Sequence, residues 1–205
     1  MFHDIDQNTD TWLDMRSGKV TGSAISKIMA NYGKAFGEPA KKLAVDIAIG
    51  QITGRAHGDN YTNAHMDRGH EQEPIARALY EEERFCDVLN GGFYDNGFTG
   101  CSPDGRVGEE GLIEIKSVIP SVQYATLKRN GVDPSYKWQV NFNLKETGCE
   151  WIDYVSFCLD FPEGKRLITY RVYAKDQAEE FRMIDDRLSD FKLIVDQVKA
   201  DITNG

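Results

Sequence analysis

The run GLIEIKSV, residues 111–118, constrains this fold more than any other stretch. It alternates like a β-strand, so Ile113 and Ile115 point to one face and Leu112, Glu114 and Lys116 to the other. Most of the run is apolar and reads as core. A carboxylate and an ammonium nonetheless sit within it, two residues apart on one face. Buried charge is costly unless it is paired, so the surroundings of this strand have to account for Glu114 and Lys116.

The apolar period changes on either side of the run. Residues 9–18, TDTWLDMRSG, predict a short helix capped by Thr9 or Asp10 and ended by Gly18. Residues 21–30 predict a second helix capped by Thr21 or Ser23. Pro39 suits the first turn of a third, over 39–53. Residues 54–62 read as a loop. Residues 63–84 show a long helical pattern that Gly69 and Pro74 should interrupt. From Phe85 the pattern becomes aromatic and β-favouring, broken by Gly91-Gly92 and Asn96-Gly97, which signals a hairpin. Two helical stretches follow Pro120, then strands over 150–160 and 166–174. A long amphipathic helix runs from Asp176 to about Ile202, with Phe181, Ile184, Leu188, Phe191 and Val195 at helical spacing. This order predicts one α/β domain spanning residues 1–205, with a mixed central sheet flanked by helices.

Composition narrows the classes. A 205-residue chain that is 40% hydrophobic can bury a core. The acidic N-terminus is not a signal peptide and no apolar run approaches a membrane span, which implies a soluble, intracellular protein without a membrane partner. Cys86, Cys101, Cys149 and Cys158 lack CxxC spacing, and His3, His57, His65 and His70 make no zinc pattern. The net charge of −9 argues against non-specific nucleic-acid binding, although a local basic channel or a bound metal ion can offset it.

Asp104, in SPDG, precedes Glu114 with nine residues and a turn between them. A hairpin would bring Asp104 beside Glu114. Two converging carboxylates suit a hard divalent cation such as Mg²⁺, with the Ile115 carbonyl as a further oxygen ligand. Lys116 could orient a water or stabilise a phosphoryl oxygen. The same D-x₉-E-x-K pattern also describes an ordinary turn and a half-exposed strand face. Glu109 and Glu110 read as solvated turn charges.

SPDG followed by E-I-K resembles the PD-(D/E)xK nuclease core, and more narrowly the lambda exonuclease family, the YqaJ-like viral recombinases. Four segments carry the resemblance in order. WLDMRSGKVTGS is similar to the family's W-x₃-R-x-G-x-x-T-x-S pattern, which implies Arg16 and Ser23 as contacts for a 5′-terminal phosphate, with Ser102 as a third. RGHEQE matches G-x-x-x-E, with Glu73 toward the metal and Glu71 as its competitor. SPDG-x₈-E-I-K gives Asp104 and Glu114 as metal ligands and Lys116 as the catalytic lysine. YKWQV matches Y-x-x-Q-V and adds Tyr136 and Gln139 to the catalytic set; Asn143 extends their helical face and also reads as part of an ordinary polar stripe.

The resemblance implies a restriction-endonuclease-like fold and a Mg²⁺-dependent exonuclease, with Mn²⁺ able to substitute. Such an enzyme degrades linear double-stranded DNA from the 5′ end, releases 5′-mononucleotides and leaves 3′ overhangs. It further implies a homotrimeric ring threaded by DNA, a phage single-strand annealing protein as partner, and the cytoplasm of a bacterial host. Lys41, Lys42, Lys128, Arg129 and Lys137 are candidates to line such a ring. Two other readings stand beside it: an endonuclease or junction resolvase of the same core, and a non-catalytic module that binds DNA ends.

Overall fold

The computed structural model describes residues 1–55 and 64–205, with side chains in the second span from residue 68 onward. From residue 56, the loop expected over 54–62 lies outside the described residues. In chain order the elements are β1 (Phe2–His3), α1 (Asp10–Arg16), β2 (Val20–Thr21), α2 (Ile25–Met29), α3 (Glu38–Thr53), α4 (Ala64–Arg84), β3 (Phe93–Asp95) and β4 (Thr99–Cys101). Then follow β5 (Gly105–Val107), β6 (Gly111–Ser117), α5 (Pro120–Arg129), α6 (Lys137–Thr147), β7 (Trp151–Phe157), β8 (Leu167–Tyr173) and α7 (Ala178–Asn204).

The strands divide between two mixed sheets. The principal one has the order β5-β6-β7-β8, with β6 parallel to β7 and antiparallel to β5. The second, built from strands of two or three residues, has the order β1-β3-β4-β2. The expected hairpin supplies its centre: Asn96 and Gly97 turn β3 into β4, and Gly97 has φ +80°, which a side-chain-bearing residue rarely adopts.

The core wraps the principal sheet on both faces. Ile113 and Ile115 pack with Val155, Phe157, Ala76 and Tyr80, which brings α4 against one face. Leu112 packs with Ile152, Tyr154, Val140 and Leu144, which brings α6 against the other. A third cluster joins α2, α3 and α7 through Ile28, Ile47, Ile184, Phe191 and Val195. The face assignment made from alternation alone is therefore the observed one.

Two local expectations change. Pro74 lies inside α4, and neither it nor Gly69 ends the helix. Burial of Ala76 and Tyr80 against the sheet keeps the helix in register past the missing N–H. The second helix is five residues long and begins at Ile25, with Ala24 at its N-cap and no side-chain cap. Thr21 is drawn instead into β2, which pairs in parallel with Thr99 and Gly100. Ser23 thus precedes the helix by two residues rather than capping it. Among the described residues no helix is long and apolar enough to cross a membrane.

Candidate functional site

A cleft of about 690 Å³ opens at the junction of α1, α4, β6 and α6. Arg16, Ser23, Glu73, Ser102, Asp104, Glu114, Ile115, Lys116, Tyr136 and Gln139, residues far apart in the chain, all line it, together with Asn143. Glu71 does not.

The acidic end is built on β6. Glu114 is 1% exposed and all its partners are side chains. Its Oε1 accepts hydrogen bonds from Lys116 Nζ at 2.6 Å and Gln139 Nε2 at 2.5 Å; its Oε2 accepts from Asn143 Nδ2 at 2.8 Å. Asn143 reaches Glu114 because residue 22 is glycine: a Cβ there would lie 2.3 Å from Asn143 Oδ1. Asp104 sits just before β5, and its Oδ2 accepts the Ile115 N–H at 2.6 Å. That bond ties the turn carboxylate to the strand carrying Glu114. Arg77, on α4, donates to the Asp104 backbone carbonyl and lies 3.5 Å from Glu73. One guanidinium thereby bridges helix and turn. The Lys116 ammonium also lies 5.2 Å from the Tyr136 ring centroid.

Electrostatics give this end its character. Burial pushes the Glu114 carboxyl up to about 7; Asp104 adds to the shift and Lys116 opposes it. Burial, then Asp104, likewise pushes Glu73 to about 7 against the pull of Arg77. Asp104 is raised by burial, with Lys116, the Ile115 N–H and Arg77 opposing. Burial alone would lower Lys116, but Glu114 and Asp104 outweigh it and hold the ammonium firmly charged. Burial raises all three carboxyls, and Asp104 adds to the shift of both Glu114 and Glu73, which marks a place where positive charge is in deficit. Hard oxygen donors of this kind suit Mg²⁺ or a similar cation. Among the described residues no three His, Cys, Asp or Glu side chains come together as a group that could hold a metal ion by themselves.

The opposite end is cationic. Arg16 is lowered to about 10 by burial, and no carboxylate among the described residues pairs with it. Its guanidinium lies 4.0 Å from the Trp12 ring centroid and 3.5 Å from Ser23 Oγ. Trp12 Nε1 donates to Ser102 Oγ at 2.7 Å. A partly buried guanidinium beside the Ser23 hydroxyl, with the Ser102 hydroxyl lining the same cleft, is a ready anion site.

Three contributors escape a reading of the sequence. Trp12 reads as core and is indeed buried, yet it touches both Arg16 and Ser102. Asn143 reads as part of a polar helical stripe. Arg77 gave no signal beyond standing four residues after Glu73. The five basic residues considered for a channel do not line the cleft. Lys41, Arg129 and Lys137 each lie beside a carboxylate, of Glu38, Asp133 and Glu180 respectively.

Comparison with known proteins shows the family and the fold. The family model for the YqaJ-like viral recombinase domain matches residues 11–150, well over half of the chain. Two crystal structures of an alkaline exonuclease, LHK-Exo from Laribacter hongkongensis, are 29% identical in sequence. The match covers 96% of this chain and 99% of that one, with TM-scores of 0.79 and, for the complex with dAMP, 0.80. A phage-related exonuclease from Haemophilus somnus 129PT shares the fold at 19% identity, over 90% of this chain and 96% of that one, with a TM-score of 0.65. No curated protein matches.

Proposed function

We propose that this chain, which belongs to the YqaJ-like viral recombinase domain family, is a divalent-metal-dependent exonuclease that degrades linear duplex DNA from the 5′ end and leaves a 3′ overhang. The observation that carries the reading is the polarity of one cleft: buried carboxylates at one end, and at the other a guanidinium with no acidic partner among the described residues. That arrangement suits a strand whose terminal phosphate and first internucleotide linkage lie side by side. The dAMP complex of the Laribacter exonuclease supports a mononucleotide product.

Asp104, Glu114, the Ile115 carbonyl and Glu73 are the groups that would hold Mg²⁺, with Mn²⁺ as a substitute. When bound, such an ion supplies Lewis acidity and acidifies a water. Lys116, held charged by Glu114 and Asp104, would act as a cation toward a phosphoryl oxygen or as a donor that orients water. Gln139 and Asn143 hold both oxygens of Glu114 in place. Tyr136 closes the cleft beside Lys116. Arg16, Ser23 and Ser102 hold the 5′-phosphate. Water adds to phosphorus, the P–O3′ bond breaks, and the departing O3′ takes a proton. The terminal nucleotide leaves with its 5′-phosphate and the shortened strand again ends in one, ready for the same pocket. A homotrimer around the duplex and a single-strand annealing protein receiving the overhang complete the proposal.

Linear duplex labelled at either 5′ or 3′ ends, incubated with and without Mg²⁺, tests it. The 5′ label should be released first, as mononucleotide, only with the metal. Lys116→Ala should lower the rate about a hundredfold or more. Release of the 3′ label first, cutting of covalently closed circles, or full activity of Lys116→Ala would sink the reading.

A further inference from the structure

We propose that Trp12 is a positioning residue that sets the preference for a 5′-phosphate, by fixing which way the Ser102 hydroxyl proton points. The inference rests on the phosphate pocket described above. An indole N–H only donates, whereas a hydroxyl has one proton and two lone pairs. Trp12 Nε1 donates to Ser102 Oγ at 2.7 Å, so it fills a lone pair and cannot receive the Ser102 proton. No other protein group among the described residues bonds to that hydroxyl, and Ser102 lines the cleft. Its proton is therefore presented to the cleft, where it recognises an anion.

The same ring does a second task. The Arg16 guanidinium stacks on its face at 4.0 Å, a contact that holds the fork in place while leaving its N–H groups for a ligand. Trp12 lines the cleft yet is only 7% exposed, so its effect passes mainly through the two groups it holds. One buried side chain thus contacts both Arg16 and Ser102, and both line the same cleft. A group that merely filled the core would need neither the N–H nor the stacked face.

Trp12→Phe removes the N–H and keeps an aromatic face under Arg16. The quantity to measure is the ratio of kcat/KM for 5′-phosphorylated over 5′-hydroxyl linear duplex. Trp12→Phe should lower this ratio about tenfold, the loss of one hydrogen bond to a charged group. Ser102→Ala should do the same, and the double variant should fall no further, because Trp12 acts through Ser102. A general loosening of the fold would depress both substrates alike and leave the ratio unchanged. Should phenylalanine fail to fold, 3-benzothienylalanine at position 12 gives the same test, with sulfur in place of N–H on a ring of equal outline. A wild-type preference with an unchanged Trp12→Phe ratio overturns the role of Trp12 alone, as does full additivity with Ser102→Ala. A wild-type ratio of one overturns the phosphate pocket and this inference together.

Discussion

Glu114 concentrates the chemistry of the molecule in one side chain. It is buried, it accepts three hydrogen bonds, and it shares the cleft with Asp104 and Glu73. Its carboxyl and that of Glu73 titrate near 7, against an ordinary value of 4.5. Between those values the folded chain holds protons that the unfolded chain has already lost, so these groups make stability fall as pH rises from about 4.5 to about 7. A divalent cation held as proposed would bind the ionised pair, so its stabilising effect should grow over the same window. Thermal unfolding at about pH 5 and about pH 8, with and without Mg²⁺, should show a Mg²⁺-induced rise in Tm only at the higher pH, lost in Glu114→Gln. An equal rise at both values would contradict the titration assigned to Glu114. Exonuclease activity should follow the same sign, rising through neutrality toward alkaline pH. Asp104, Glu114 and Lys116 were legible in the sequence because a strand has a strict two-residue period and a charge inside an apolar run stands out. Asn143 was not, since a polar residue on an amphipathic helix looks the same whether it meets water or a buried carboxylate. Trp12 was not, because its bulk explains its burial and conceals the use of its N–H.

Helix α4 has to hold Glu73 over the cleft, and beside its apolar packing one buried acid anchors it. Asp153, on β7, is fully buried; its Oδ2 accepts the Tyr80 hydroxyl at 2.7 Å, and both its oxygens accept from Arg171 at 2.8 Å. Arg171 in turn lies 3.5 Å from the Trp151 ring centroid. Tyr80 stands two turns after Glu73, so the same helical face carries the site residue, Arg77 and the docking hydroxyl. Tyr80→Phe keeps the ring in the core and deletes the bond to a charged acceptor, which should cost about 1.5–3 kcal/mol in denaturant unfolding. Activity at saturating metal should stay close to normal, while the metal concentration for half activity should rise as Glu73 loses its fixed position. A large stability loss with unchanged metal dependence would separate helix docking from the site. The element boundaries show what patterns resolve and what they miss. Residues 111–117 and 151–157 form the expected strands, because both are rich in β-branched and aromatic residues without an internal Gly or Pro break. The two-residue strands β1 and β2 leave no periodic trace, and tertiary pairing alone defines them. Pro74 was expected to break α4, but packing along the helix outweighs the one bond it removes.

The whole chain carries 33 acidic and 24 basic side chains, a net charge of −9, and its proposed substrate is a polyanion. Of the basic residues named for a channel, three already face carboxylates of the same chain. With this net charge a single copy has no overall attraction for duplex DNA, although Arg16 and Lys116 lie among the groups lining the cleft. Long-range attraction cannot hold such a molecule on its track between cuts. Enclosure can, because a ring around the duplex keeps the strand end near the cleft by geometry rather than by charge. If the chain acts as a ring, its mass in solution by light scattering should equal three chains, and digestion should be processive. The salt dependence then discriminates between the two ways of staying bound. Each neutralised phosphate contributes about −0.9 to the slope of log affinity against log salt. An enclosed duplex with few direct contacts should give a shallow slope, together with processivity that survives added salt. A monomeric mass combined with processive digestion, or a steep slope typical of many lysine and arginine contacts, would reject enclosure and place the grip on basic side chains instead.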